Sequence, residues 1–281
     1  GMRDISMSVA FCRAIREAVG DRADLLFGTH GQFTTAGAIR LGQALEQFSP
    51  LWYEEPIPPD AVEQMARVAG AVRIPIATGE RLLTKYEFVE VLHKQAAQII
   101  RDGGIVVVPT DSSYAIACQL DDKGALERIR RIRALDKKHN FTLLCRDLSE
   151  IATYARVDNP AYRLLKARTP GPYTFVLRAT AIVPRRLQHP KRKTIGIRVP
   201  DHKICLELVK RLGNPIITTS ATMPDGSMVN DASLIHDVFR NRIDLVIDGD
   251  IAPGLPSSVI SLIDDLPEVI RKGAGDVSIF E

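Results

Sequence analysis

The sequence predicts an α/β protein in two unequal parts, a partial (β/α) barrel fragment over residues 1–92 and an α/β domain over residues 93–281. Three observations predict this. Up to residue 100, helix-like and strand-like stretches alternate in short units, the pattern of a parallel sheet. Within that stretch, PLWYEEP and IPIATGE place Glu54 and Glu80 at the C-terminal ends of successive strands, where barrel enzymes keep their chemistry. Beyond residue 101 the single alternation is lost, and the motifs PTDSSYAIAC, PGPYTFVL, TIGIRVPDH, TTSAT and VIRKGAG take over.

Taken in order, residues 8–19 (SVAFCRAIREAV) carry apolar residues at helical spacing and stop at Gly20, and LLFG follows as a short buried strand. AGAIRLGQALEQF is a second helix, PLWYEE a second strand, AVEQMARVAGAV a third helix and IPIA a third strand. Three strands are far short of the eight that close a barrel, and a parallel fragment leaves two edges unpaired. The next helix, YEFVEVLHKQAAQII, runs into RDGG and the strand IVVVP with no polar spacer, so the boundary between the parts falls inside a helix. Further strands are expected at FTLLC, YTFVL, TIGIRVP, PIITTS, LVIDG, SSVISLI and EVIRKG, and helices near 123–134, 147–155, 159–167, 202–212 and 231–240.

Hydrophobic content of 45% and charged content of 25% are those of an ordinary globular protein. No run of about 18 apolar residues suggests a membrane span. Met2 is followed by Arg3 and Asp4 rather than an apolar stretch, so no secretory signal is expected, and Gly1 reads as a remnant of an expression tag. Cys12, Cys118, Cys145 and Cys205 are isolated, as expected of reduced thiols in a cytoplasmic protein. Residues 1–100 carry net charge −2 and residues 101–281 net charge +5. The excess concentrates in Arg128, Arg130, Arg131, Arg133, Lys137 and Lys138, and in Arg185, Arg186, Lys191, Arg192 and Lys193. Such stretches are either solvated surface or a site for a polyanion.

In the first part, paired carboxylates at strand ends suit Mg²⁺, which takes oxygen ligands and acidifies a carbon beside a carboxylate. WYEEP with ATGER, together with His30 in GTHGQF, resembles the enolase superfamily, in its mandelate racemase and sugar-acid dehydratase branch, over about residues 8–100. The resemblance implies a further metal-binding aspartate near position 28, where this chain has Gly28, and it implies base-bearing strands that the chain lacks after Ile100. Glu54 and Glu80 are therefore expected to be vestigial ligands that hold no ion by themselves.

In the second part, Thr110, Asp111, Ser112 and Ser113 crowd hydroxyls and backbone N–H groups onto a turn after a strand, equipment for an anion or an amino acid. PGPYTFVL places Thr174 at a strand start, KTIGIRVP sends Arg198 to the face opposite Ile195 and Ile197, TTSAT gathers Thr218, Thr219, Ser220 and Thr222, and PSSVI and RKGAG add Ser257, Ser258 and Arg271. Clusters of hydroxyls and arginines at several strand ends suggest one anionic ligand.

The order PTDxxYxxxC, HNFTLLCRDL, PGPxTFxL, KTIGxRVP, TSxT, SSVI and RxGxGD resembles the YrdC/YciO family, relatives of threonylcarbamoyl-AMP synthase, across about residues 93–281, with HNFTLLCRDL pointing to the YciO-like branch. The resemblance implies a twisted, open mixed sheet with a concave basic cavity, taking ATP with Mg²⁺ as substrate and no prosthetic group. In the synthase branch it further implies L-threonine and bicarbonate as substrates in tRNA modification, and the family is also associated with double-stranded RNA. It implies catalytic roles for Thr110, Asp111 and Arg198, and nucleotide contacts from Ser113, Arg133, Thr174, Ser220, Ser258 and Arg271. RNA would meet Arg185, Arg186, Lys191, Arg192 and Lys193, and no membrane partner is implied. The synthase branch's Lys-x-Arg pair falls on Arg133 and Leu135, and its Ser-x-Asn motif on Ser220-Ala221-Thr222. Both departures remove polar groups from phosphate, so synthase activity is expected to be weak or absent where nucleotide binding survives. The competing expectations are an RNA-binding module without catalysis and an enolase-type dehydratase or racemase with an incomplete site.

Overall fold

The computed structural model describes residues 2–136, 139–223, 225–239, 241–249, 252–264 and 266–280, with the side chains of residues 2, 85, 86, 89, 90 and 93 left aside. The chain divides into two compact units, Gly1–Gln95 and Ala96–Glu281.

The first unit runs α1 (Met2–Val19), β1 (Leu26–Gly28), α2 (Thr35–Leu45), β2 (Trp52–Glu54), α3 (Val62–Ala71) and β3 (Ile76–Ala77). Its three strands form a parallel sheet in the order β1-β2-β3, with Gly28 opposite Glu54 and Glu54 opposite Ala77. Thr34 caps α2, its side chain accepting from the Gly37 N–H, and Leu41 and Leu45 on that helix pack with Tyr53 and Phe48. The Tyr53 hydroxyl is fully buried, which pushes its pKa up to about 12. Three strands make a partial barrel-like fragment and no more.

The helix α4 (Lys85–Arg101) crosses from one unit into the other, and its last residues, Ala96, Ala97 and Ile100, lie in the core of the second. There follow β4 (Val106–Val108), β5 (Ala115–Gln119), α5 (Lys123–Ile132), β6 (Thr142–Leu144), α6 (Leu148–Tyr154), β7 (Ala155–Arg156), α7 (Asn159–Arg168) and β8 (Tyr173–Ala179). The rest comprises β9 (Thr194–Arg198), α8 (Lys203–Leu212), β10 (Ile216–Ser220), α9 (Ala232–Phe239), β11 (Leu245–Val246), β12 (Ser258–Ser261) and β13 (Glu268–Arg271). These strands build one mixed sheet of order β11-β4-β5-β10-β6-β9-β8-β12-β13, with β7 beside β8.

The two faces of this sheet are covered unequally, and that inequality makes the cavity. Alternation along each strand sends Val107, Ile116, Ile217, Ile197, Phe175 and Ile260 into one continuous core beneath helices such as α5 and α7. The opposite face is roofed over β4, β5, β10 and the end of β6, where Val106, Ala117, Ile216 and Leu144 meet Ala96 and Ile100 of α4 and Leu208 and Val209 of α8. Over β9, β8 and β12 the residues of that face are Thr194, Gly196, Arg198, Thr174 and Val259, and they line a cavity instead. No helix among the described residues is long and apolar enough to cross a membrane. All four cysteines are free and buried, and burial pushes the Cys118 and Cys205 thiols up to about 12.

Candidate functional site

The cavity in the second unit has a volume of about 520 Å³. Its floor is the uncovered sheet face, and Gly196 keeps it open, since a Cβ there would stand 3.2 Å from Thr174 Cγ2 and 3.3 Å from Thr142 Oγ1. Hydroxyls dominate the walls: Ser113, Thr142, Thr174, Thr194, Thr218, Thr219, Ser220 and Ser257. Among the described lining residues the arginines are Arg192, Arg198 and Arg271, and none is a carboxylate.

Arg198 is the most constrained of these. One Nη pairs with Asp111 Oδ1, whose other oxygen accepts the Asp201 N–H at 2.9 Å, while the Arg198 Nε is buried with no hydrogen-bond partner. A buried guanidinium N–H with no hydrogen-bond partner can donate to an anion. Arg271 reaches the Ser257 carbonyl with Nε at 3.1 Å and an Nη at 2.8 Å, and the Ser257 hydroxyl lies 2.8 Å from Thr174 Oγ1. Burial, and then repulsion by Arg198, lowers the Arg271 pKa from the usual arginine value. Two cations that repel each other are drawn together by an anion placed between them.

The residues singled out in the sequence divide into two groups. Ser113, Thr174, Arg198, Ser220 and Arg271 line the cavity. Thr110, Asp111, Arg133 and Ser258 stand behind it. The Thr110 hydroxyl donates to the Ser113 carbonyl at 2.6 Å and accepts the Ser112 and Ser113 N–H groups, so it shapes the turn that presents Ser113. Asp111 orients Arg198. Arg133 donates through Nε to the Ser220 carbonyl at 3.0 Å and through an Nη to the Thr222 carbonyl at 2.8 Å, which ties down the segment that carries Ser220. Burial lowers its pKa from the usual arginine value. Ser258 is fully buried, donating to the Gly275 carbonyl at 2.6 Å and accepting the Gly273 N–H at 3.0 Å, and it fixes the turn beside Arg271.

Of the two departures from the synthase pattern, Leu135 packs against the main core and Thr222 is buried, its carbonyl held by Arg133. The sequence reading passed over His139, Asn140, His189 and Thr194, all of which line the cavity. His139 and Asn140 open the HNFTLLC segment, and their adjacency to a strand edge was the only available signal.

The basic stretch near residue 190 is dispersed. Arg192 lines the cavity, whereas Arg185 and Lys193 line a second depression of about 530 Å³ with Arg156. Arg186 donates to the carbonyls of Leu120 at 3.3 Å and Asp121 at 2.8 Å, and Lys191 is exposed. Lys137 and Lys138 lie outside the described residues.

In the first unit, Glu54 accepts from Trp52 Nε1 at 3.3 Å and Glu80 lies 2.9 Å from His30 Nδ1. No group of three histidine, cysteine, aspartate or glutamate residues that could hold a metal is present among the described residues. With glycine at position 28, the residues present do not fit a Mg²⁺ site, which needs more oxygen ligands than two carboxylates supply.

Fold and site together define an α/β protein with a cavity lined by hydroxyls and arginines on the open half of a mixed sheet. Residues 98–273 match the Sua5/YciO/YrdC family model, described as telomere recombination, and the chain belongs to that family. Residues 1–102 match the enolase C-terminal domain-like model. The chain is 50% identical over 190 residues to the YciO protein of Escherichia coli K12, an alignment covering 67% of this chain and 92% of that one. The crystal structure of E. coli YciO superposes with a TM-score of 0.66, covering 68% of this chain and 93% of that chain. Threonylcarbamoyl-AMP synthase of Chromobacterium violaceum is 31% identical over 173 residues, covering 61% of this chain and 89% of that protein. P. abyssi Sua5 complexed with L-threonine matches with a TM-score of 0.61 at 26% identity, covering 68% of this chain and 55% of that chain.

Proposed function

We propose that the second unit binds ATP in this cavity and carries out slow adenylyl transfer of the threonylcarbamoyl-AMP synthase type, linked to tRNA modification. The observation that carries the reading is Arg198, whose buried Nε has no partner in a cavity shared with Arg271 and lined by no carboxylate. The similarity to threonylcarbamoyl-AMP synthases supports ATP as the nucleotide and L-threonine and bicarbonate as co-substrates. In that reaction a carbamate oxygen formed from L-threonine and bicarbonate attacks the α-phosphorus, the α–β phosphoanhydride bond breaks, and pyrophosphate leaves.

Here Arg198 and Arg271 hold phosphate oxygens, Ser113, Thr174 and Ser220 supply hydroxyl contacts, Asp111 keeps Arg198 in place and Thr110 keeps Ser113 in place. No described lining side chain is a carboxylate, so an Mg²⁺ ion bound with ATP would be held by the nucleotide's own phosphates and would offset their charge. Leu135 and Thr222 give the cavity no cation and no amide, so fewer groups meet the charge that develops on the phosphates, and the rate is low.

Calorimetry with ATP and an assay for ATP-dependent pyrophosphate release, with and without L-threonine and bicarbonate, test this. ATP binding that Arg271→Met weakens by about tenfold or more is the expected result, corresponding to roughly 1.4 kcal/mol. Absence of ATP binding, with RNA binding intact, leaves the alternative of an RNA-binding module without catalysis.

A further inference from the structure

His139 has no part in the roles assigned above, yet it lines the same cavity. Its ring is half-buried and packs edge-on against Phe141, with centroids 5.1 Å apart. Its Nε2 lies 3.1 Å from the Thr219 hydroxyl, which also lines the cavity. Arg130 lies over the Phe141 ring, 5.0 Å from its centroid. Burial, then Arg130 and Arg133, lower the His139 pKa from 6.5, and Asp136 only partly offsets them. Arg198 of β9, Arg271 of β13, and His189 and Arg192 of the loop before β9 line the same cavity. These surroundings disfavour the charged imidazolium.

We infer that His139 and Thr219 form a proton-coupled phosphate contact, in which an oligophosphate entering the cavity draws a proton onto the imidazole. The inference rests on the ATP reading above. Its physical basis is a change of sign. A polyanion held by Arg198 and Arg271 replaces a cationic surrounding with an anionic one, and the charged form of His139 becomes the favoured one. The imidazolium then has donors on both nitrogens. Its Nε2 donates to Thr219 Oγ1, which turns the threonine's own hydrogen outward to a phosphate oxygen. The proton comes from solvent, and no covalent bond to the ligand forms or breaks.

His189 is the weaker candidate for this role. Its Nδ1 already accepts the N–H groups of Lys191 at 3.3 Å and Arg192 at 3.1 Å, and protonation there would set donor against donor.

The test is ATP binding to the whole chain, measured by calorimetry at neutral pH in two buffers of different ionisation enthalpy, for the wild type and His139→Gln. Protonation of ATP itself is common to both proteins and cancels in the difference. The wild type should take up a larger fraction of a proton, and its affinity should gain several-fold more than the variant's between pH 8 and pH 6, about tenfold being the ceiling that a one-unit pKa shift sets. An NMR titration of the wild-type His139 ring should show its pKa rising by about one unit or more when ATP is present, a readout independent of how well the variant folds. Equal proton uptake in both proteins, or a ring pKa unmoved by ATP, overturns the inference and leaves ATP binding standing. A wild type that binds no ATP overturns both.

Discussion

Arg198 answers to two neighbours at once, a structural one and a ligand. Its side chain is 9% exposed and that of Asp111 is 11% exposed, so each is the other's principal compensation for lost solvent. Arg198→Met should therefore remove the ligand contact and also strand a buried carboxylate, at a cost of roughly 3 kcal/mol or more in unfolding free energy. Urea denaturation measures this, and adding Asp111→Asn to the same chain should restore most of the loss, because an amide needs no counter-charge. If the double variant is no more stable than the single one, the pair does not matter for the fold. Arg271 differs in kind: its protein partner is the neutral carbonyl of Ser257, so Arg271→Met should lower stability less while still weakening ATP.

At the scale of elements, strong periodicity made the strands around the cavity legible. In TIGIRVP, Ile195 and Ile197 alternate with Gly196 and Arg198, and that alternation is what divides core from cavity. The strand Ala115–Gln119 escaped the sequence reading because it is buried on both faces, so its run of Ala, Ile, Ala and Cys shows no polar alternation. Local pattern was equally silent on the cavity's composition, since Thr219 and His139 meet only when β10 pairs with β6, across 80 residues. Hydroxyl clusters could be recognised as polar, but which of them face the cavity depends on partners elsewhere: Ser257 faces it, while its neighbour Ser258 is consumed by Gly273 and Gly275. Helix α6 permits a sharper test. The Asp147 side chain accepts the Glu150 N–H at 2.8 Å, and that bond, aided by Arg146, holds its carboxyl below the usual value. A depressed folded-state pKa contributes stability above the unfolded-state value, and that contribution is lost as pH falls through the folded one. Asp147→Ala should thus cost about 1 kcal/mol at neutral pH, and the gap between variant and wild type should close progressively below about pH 4 in acid unfolding curves.

For the whole molecule, every group assigned to ATP lies beyond residue 109, while the first unit offers three parallel strands and two carboxylates without a third ligand. A chain beginning near Lys85 keeps the α4 residues that enter the second core and should bind ATP within about tenfold of the full chain; a larger loss would assign the first unit a part in binding. The surplus of basic residues calls for a separate experiment, because the structure spreads them over two openings. Arg185 and Lys193 border the depression that also contains Arg156, and neither lines the ATP cavity. If RNA phosphates contact this depression, the contribution is mostly counterion release and carries no base sequence information. Replacing Arg185 and Lys193 together by glutamine should then weaken duplexes of unrelated sequence to a similar degree. It should also flatten the plot of log affinity against log salt by about two contacts' worth, with ATP affinity unchanged. Arg192→Gln provides the contrast, since Arg192 stands in the cavity itself and its loss should weaken ATP as well. A double variant that keeps the full salt slope would identify the depression as ordinary solvated surface and remove its residues from any RNA-binding role.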